Sequence, residues 1–261
     1  MASRKIAGLR TIVTGASSGI GQQIAIELAK QGAKLIVTAR RAERLADLLA
    51  EIKSFDGDAV SVVGDIVDPR TRVSLVEAAS REFGGLDAVV NNAGIGALGP
   101  FVNADEARNR TVMEVNFFAP VELIRLAVPL LREGNRPIIV NVSSVLGHRA
   151  VANKSEYCAS KFAMHGFSDA LRCELAGEGI DVLIVSPSTT SSEFFDHVTD
   201  REGNATVHTR HAMSPHVVAR KTVRAIRRGK HEIILTAGGR ALVWFDRLCP
   251  PLMNRVLARF R

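Results

Sequence analysis

The chain has 261 residues, of which 46% are apolar and 23% charged, and a formal net charge of +7. That profile suits a globular chain with a sizeable core; no stretch approaches the roughly 18 apolar residues of a membrane span, and no apolar run after Met1 marks a signal peptide. Three scattered cysteines (Cys158, Cys173, Cys249) exclude a disulfide framework and a CxxC motif, so a reducing cytoplasm is the expected compartment.

Taken in chain order, a β-branched run predicts a strand over 11–13, ended by Gly15, and helical spacing of Ile20, Ile24 and Leu28 predicts a helix over 20–30. A strand over 34–39, an amphipathic helix over 41–55, a strand over 59–64 and a helix over 69–83 follow. Next come a strand over 86–91, a long helix over 104–131 with a break near Pro120, and a strand over 137–143. A helix over 156–175 and strands over 180–186 and 232–235 complete the pattern. Near-continuous β-branched strands alternating with helices predict a doubly wound, Rossmann-type parallel sheet of about seven strands with helices on both faces. No linker or repeat interrupts 1–190, so residues 1–261 are expected to form one α/β domain. The polar, aperiodic stretch 193–216 is expected to be a substrate lid.

Between the first strand and helix stands Thr14-Gly15-Ala16-Ser17-Ser18-Gly19-Ile20-Gly21. Glycines there permit a tight turn and bring a pyrophosphate close to the free N–H groups of a helix N-terminus. The spacing, Gly-x-x-x-Gly-x-Gly, resembles the cofactor turn of the classical short-chain dehydrogenases/reductases. The strand over 34–39 runs into Thr38-Ala39-Arg40-Arg41, without the carboxylate that holds an NAD ribose. Arg40, with Arg41 beside it and Ser17 opposite, fits a 2′-phosphate, so NADP(H) is expected over NAD(H). The resemblance further implies that Asp65 hydrogen-bonds the adenine, that Ile66 packs beside it, and that Asn92-Ala93-Gly94 lies along the cofactor.

Tyr157 and Lys161 stand four apart on one helix, hence on one face. A phenol titrates near 10, too high for easy proton exchange at neutral pH. A neighbouring ammonium is expected to lower that value and fit Tyr157, the only tyrosine, for general acid–base work. Ser144 ends a strand thirteen residues earlier, where parallel sheets bind ligands, and would orient a substrate oxygen. Asn116 is a poor mid-helix residue, and a kink there would free a carbonyl for a water leading to Lys161. In order and spacing these four match the Asn-Ser-Tyr-Lys tetrad of the classical short-chain family, and the resemblance covers roughly residues 8–190. It implies hydride transfer between the nicotinamide and a carbonyl/alcohol pair, with Lys161 also holding the cofactor's ribose. Where the family has Pro-Gly, this chain has Pro187-Ser188. Thr190 and Ser192 fall where a backbone group and a threonine hydroxyl usually meet the carboxamide.

His197, His208, His211 and His216 match no common metal spacing, and the chemistry implied needs no metal. The tail over 238–261 interleaves apolar residues with arginines and is split by Pro250-Pro251 into two amphipathic pieces. It suits packing on its own chain, a sister subunit, or peripheral contact with an anionic membrane. Homodimers or homotetramers are expected by resemblance. No nucleic-acid readout motif accompanies the positive charge. Gly96, Ala97 and Leu98 suggest room for a fairly apolar substrate. Epimerisation or dehydration on the same fold, and a nucleotide sensor without catalysis, are the alternatives; the complete tetrad argues against the sensor.

Overall fold

The computed structural model describes residues 3–191 and 212–259. Strands β1 (Arg10–Thr14), β2 (Lys34–Ala39), β3 (Asp58–Val63), β4 (Ala88–Asn91), β5 (Ile138–Val142), β6 (Asp181–Ser186) and β7 (Glu232–Ile234) form one sheet in the order β3-β2-β1-β4-β5-β6-β7. Every neighbouring pair is parallel. The order reverses between β1 and β4, so a crevice opens there at the carboxyl ends of the strands.

Side chains alternate across a strand, and both sides here are dry. Val13, Val37, Val90, Val140 and Leu183 face α1 (Gly19–Ala29), α2 (Ala42–Lys53) and α7 (Pro215–Arg227). Ile12, Ile36, Val89, Ile139 and Val182 face α3 (Pro69–Phe83), α5 (Ala119–Arg132) and α6 (Ser155–Leu175). Capping residues set the helix ends. Asp68 accepts from the Arg70 amide with Pro69 in the first turn, and Gly84 closes α3 at φ 69°.

The long helix is interrupted just ahead of Pro120, as expected. α4 (Glu106–Met113) passes into a π-helical turn, Glu114–Phe118, and then into α5. Pro120 sits in the first turn of α5, where its missing N–H costs little. The wide turn carries Asn116 inward, 2% exposed. α7 is a helix to which the sequence analysis assigns nothing; Val218, Ala219, Val223 and Ile226 bury one face of it. Of the expected lid only 212–216 lies among the described residues, and Pro215 already opens α7. The tail splits as expected, into α8 (Ala237–Leu248) and α9 (Pro250–Leu257), with Cys249 between them.

Candidate active site

The crevice is a cavity of about 590 Å³ running from the glycine turn to the end of β6. Its walls include Gly15, Ser17, Ser18, Gly19, Ile20, Arg40, Arg41, Asp65, Ile66, Asn92, Ala93, Gly94, Ser144, Tyr157, Lys161, Pro187 and Thr190. Gly21 stands just behind the turn. Ser192 lies outside the described residues, as do His197, His208 and His211.

At one end the shape is made by main chain touching main chain. Gly15 has φ +66°, and a Cβ on it would come within 2.8 Å of the Ala93 Cα. A Cβ on Gly21 would collide with the Gly15 carbonyl and with Asn92. Asn92 donates through Nδ2 to the carbonyls of Thr14 (3.0 Å) and Gly15 (3.2 Å), which staples β4 to the turn. Thr14 Oγ1 accepts from the amides of Asn92 and Ala93, both at 3.0 Å. The result is a cradle without side chains at the mouth of a helix N-terminus, which fits a pyrophosphate. Beyond it, Arg41 donates to Ser17 Oγ at 3.0 and 3.2 Å, and Arg40 reaches Asp65 only at 3.9 Å. No acidic residue ends β2. Asp65 turns its other oxygen to the Val67 amide at 3.1 Å.

At the other end Asn116, Ser144 and Lys161 are buried and Tyr157 is half-buried. Tyr157 and Lys161 share one face of α6, and the Lys161 Nζ lies 5.6 Å from the centre of the phenol ring. That ammonium donates to the Val142 carbonyl at 3.2 Å. Ser144, 9% exposed, stands beside the Tyr157 hydroxyl and caps the turn Val145–Gly147 by accepting from the Leu146 amide. Asn116 accepts from the Ile95 amide at 2.8 Å and donates to the Ile95 carbonyl and to Ser160 Oγ, both at 3.0 Å. Asn116 thereby holds the chain after β4, and with it Gly94, against α6. A Cβ on Gly94 would stand 3.1 Å from Asn116 Oδ1 and 3.7 Å from Lys161 Nζ.

The phenol is not lowered as the sequence predicts. Burial pushes Tyr157 up to about 12, and the Ser144 hydroxyl offsets only part of that. Burial brings Lys161 down to about 8. The reason is geometric, since Lys161 spends its charge on the Val142 carbonyl and sits over the ring rather than at the hydroxyl. At neutral pH the pair is a protonated phenol beside an ammonium, a poised acid.

The Pro187-Ser188 departure also has a structural account. Ser188 Oγ hydrogen-bonds Thr236 Oγ1 at 2.7 Å, and Thr236 caps α8 by accepting from the Gly239 amide at 2.9 Å. A glycine would lose that tie between the loop and α8, whose Gly238, Gly239 and Leu242 wall the cavity. Thr190 is buried, donates to the Ser188 carbonyl at 3.0 Å and bridges to Met213. Pro187 accepts from the Val145 amide at 3.0 Å, which joins the Ser144 turn to this loop.

The family model described as short chain dehydrogenase matches residues 10–203. The chain belongs to that family. It is 32% identical to the ketoacyl reductase HetN of a Nostoc species over 237 residues, covering 88% of this chain and 79% of that one. It is also 32% identical to 11-beta-hydroxysteroid dehydrogenase A of Sesamum indicum over 265 residues, covering 97% and 76%. A short-chain dehydrogenase/reductase structure from Burkholderia phymatum in complex with NAD superposes with a TM-score of 0.86 at 22% identity, covering 95% and 96%. As a short-chain dehydrogenase the chain is an oxidoreductase of the CH–OH/C=O couple that binds a nicotinamide cofactor.

This short-chain dehydrogenase also carries positioning residues that sequence reasoning missed. Arg108 of α4 and Glu156 of α6 form an ion pair at 2.7 Å with both side chains 2% exposed, directly beside Tyr157 in sequence. Asn91 donates to Asn141 and Asn141 to Ser168, each at 2.9 Å, a buried polar chain from β4 through β5 to α6. Arg72 donates to the carbonyls of Ile66 (2.6 Å) and Val67 (2.8 Å), fixing the loop behind Asp65. The partners in these contacts lie between 5 and 50 residues apart, and no local spacing marks them.

Proposed function

We propose that this short-chain dehydrogenase is an NADP(H)-dependent reductase of a fairly apolar ketone or aldehyde, with Tyr157 as the proton donor. The observation that carries the reading is the pairing, in one cavity, of a half-buried neutral phenol at one end with an arginine-lined rim lacking any carboxylate on β2 at the other. The bound nicotinamide supplies or removes the hydride. Gly15, Ser18, Gly19, Ile20 and Gly21 cradle the pyrophosphate, Asp65 and Ile66 take the adenine, and Asn92, Ala93 and Gly94 flank its path. Arg40, Arg41 and Ser17 meet the 2′-phosphate. Pro187 and Thr190 would meet the carboxamide; Ser192, expected there from the sequence, lies outside the described residues.

Ser144 holds the substrate oxygen by hydrogen bond within reach of the Tyr157 hydroxyl. Tyr157 gives its proton to that oxygen as negative charge gathers there. Lys161 steadies the ribose and the phenolate that remains, and the π turn at Asn116 opens a carbonyl for a water that returns a proton from solvent. Ala97, Leu98, Val145, Leu146 and Leu242 make the substrate end apolar. The two relatives' names, a ketoacyl reductase and a hydroxysteroid dehydrogenase, point to carbonyls on apolar bodies.

Two copies would share the face bearing Phe118 and Phe162, which are 48% and 43% exposed. Trp244, Phe245, Leu248 and Leu252 also face outward, with Arg240, Arg247 and Arg255 among them. We assign that face to peripheral contact with an anionic bilayer. Co-sedimentation with phosphatidylserine vesicles should fall about tenfold in Trp244→Ser/Leu248→Ser; equal binding to neutral vesicles contradicts the assignment.

The experiment that tests the cofactor reading is fluorescence titration of the purified chain with NADPH and NADH. Preference for NADPH that collapses in Arg40→Ala is the expected result. Equal affinities, or a preference untouched by the substitution, would remove the NADP(H) assignment.

A further inference from the structure

Behind the Ser144 turn the structure gathers three metal-ligand side chains that the reduction does not use. His148 directly follows the turn Val145–Gly147, His165 lies one helical turn beyond Lys161 on α6, and Glu232 opens β7. A ring nitrogen from each histidine and a carboxylate oxygen from Glu232 all lie within 4.8 Å of one another. His148 Nε2 is 2.8 Å from Glu232 Oε1 and 3.3 Å from Ser186 Oγ. The two imidazoles meet edge to face with centres 4.2 Å apart.

One atom in this cluster has no partner. His165 Nε2 is buried and makes no hydrogen bond among the described residues. Leaving a polar nitrogen dry and unpaired costs on the order of 1–3 kcal/mol, so some occupant for its lone pair is called for. Space for the ring is reserved, since a Cβ on Gly147 would come 2.5 Å from His165 Cδ2. Access is open from the Glu232 side, where the carboxylate is 38% exposed while the His148 side chain is only 6% exposed.

We propose that His148, His165 and Glu232 form a binding site for a Zn²⁺-class divalent transition metal, which clamps the Ser144 turn and α6 onto β7. Two imidazoles and one carboxylate suit Zn²⁺ or Co²⁺, with a fourth position left to solvent. Ca²⁺ and Mg²⁺ prefer oxygen ligands throughout and are poorly matched. Zinc bonds of about 2.0–2.2 Å require the three atoms to draw together from their present spread, with the metal displacing the His148–Glu232 hydrogen bond. The site stands apart from the cavity, so its role is a structural clamp on the groups that hold Ser144 and Lys161.

The test is a titration of the metal-stripped full chain with Co²⁺, read by its visible d–d absorption, followed by displacement with Zn²⁺. One Co²⁺ per chain is expected, displaced by one Zn²⁺, with a rise in Tm on Zn²⁺ addition. His148→Ala should weaken Co²⁺ roughly a hundredfold and Glu232→Gln roughly tenfold, and both should shrink the Tm rise, His148→Ala the more. Glu232→Gln alters a half-exposed side chain, so it keeps the test valid should His148→Ala fold poorly. Absence of the Co²⁺ band in the wild type overturns the proposal. So does a band of unchanged affinity in the Glu232→Gln variant, which would place the metal elsewhere. Because binding is read without NADPH or substrate, the result is independent of the cofactor titration.

Discussion

The two ends of the central cavity are held by different physics. At the dinucleotide end, close main-chain contacts around Gly15 and Gly21 set the shape, and the charge comes from Arg40 and Arg41 at a solvent-facing rim, the Arg40 side chain being 66% exposed. At the reacting end Asn116, Ser144 and Lys161 are withdrawn from water, Tyr157 is half-buried, and each leans on a named neighbour. Exposed charges are screened by salt and individually small. Buried, mutually bonded groups cannot be traded one at a time. The reacting end should therefore fail abruptly, and the rim should degrade by increments.

The largest expected effect is on chemistry. Tyr157→Phe removes the proton donor and should lower kcat by about 10²–10⁴-fold while NADPH affinity changes little, as read by steady-state kinetics and titration. An intact kcat would mean that another group protonates the substrate. Next is the buried pair that anchors α6. Arg108→Ala leaves the Glu156 carboxylate buried without its cation and should cost roughly 3–5 kcal/mol by denaturant unfolding. A loss under about 1 kcal/mol would show the pair to be no stronger than a surface one.

A pH profile sharpens the comparison further. Lys161 titrates at about 8 and Tyr157 at about 12, so the reduction rate should fall as pH rises through about 8 while the phenol is still protonated. Between about 8 and the ordinary 10.5 the unfolded chain keeps a proton that the folded one has released. This lysine's contribution to stability therefore grows with pH in that window, so a falling rate there is not unfolding. Lys161→Arg should erase the limb, because a guanidinium stays charged throughout. The smallest effect belongs to the rim. Arg40→Ala should weaken NADPH about tenfold, less at high salt, and leave NADH almost unchanged.

The same contrast governs what could be read before the fold was known. The glycine turn and the Tyr157–Lys161 pair each lie within one short segment, where loop and helix geometry alone dictate the neighbours. The β-branched runs announced all seven strands for the same reason. The Arg108–Glu156 pair and the Ser188–Thr236 tie span 48 residues each, and the cluster of His148, His165 and Glu232 gathers three elements; chain folding creates these contacts. α7 was legible in principle, since 218, 219, 223 and 226 repeat at helical spacing, but its basic residues blend with the polar stretch before it. The phenol's upward shift was not legible at all. Spacing reports that an ammonium is near, whereas burial and the Val142 carbonyl decide how much of its charge reaches the hydroxyl.

The most direct test of the account follows the hydride itself. Wild type and Tyr157→Phe would be given NADPH deuterated at the transferable C4 position, with a ketoacyl thioester and an 11-oxo steroid as trial substrates, and the alcohols analysed by mass spectrometry. One deuterium per alcohol from the wild type, with product formation nearly abolished in Tyr157→Phe, is the predicted result. Alcohol without deuterium, or equal turnover by the two proteins, would contradict direct hydride transfer with Tyr157 as the acid.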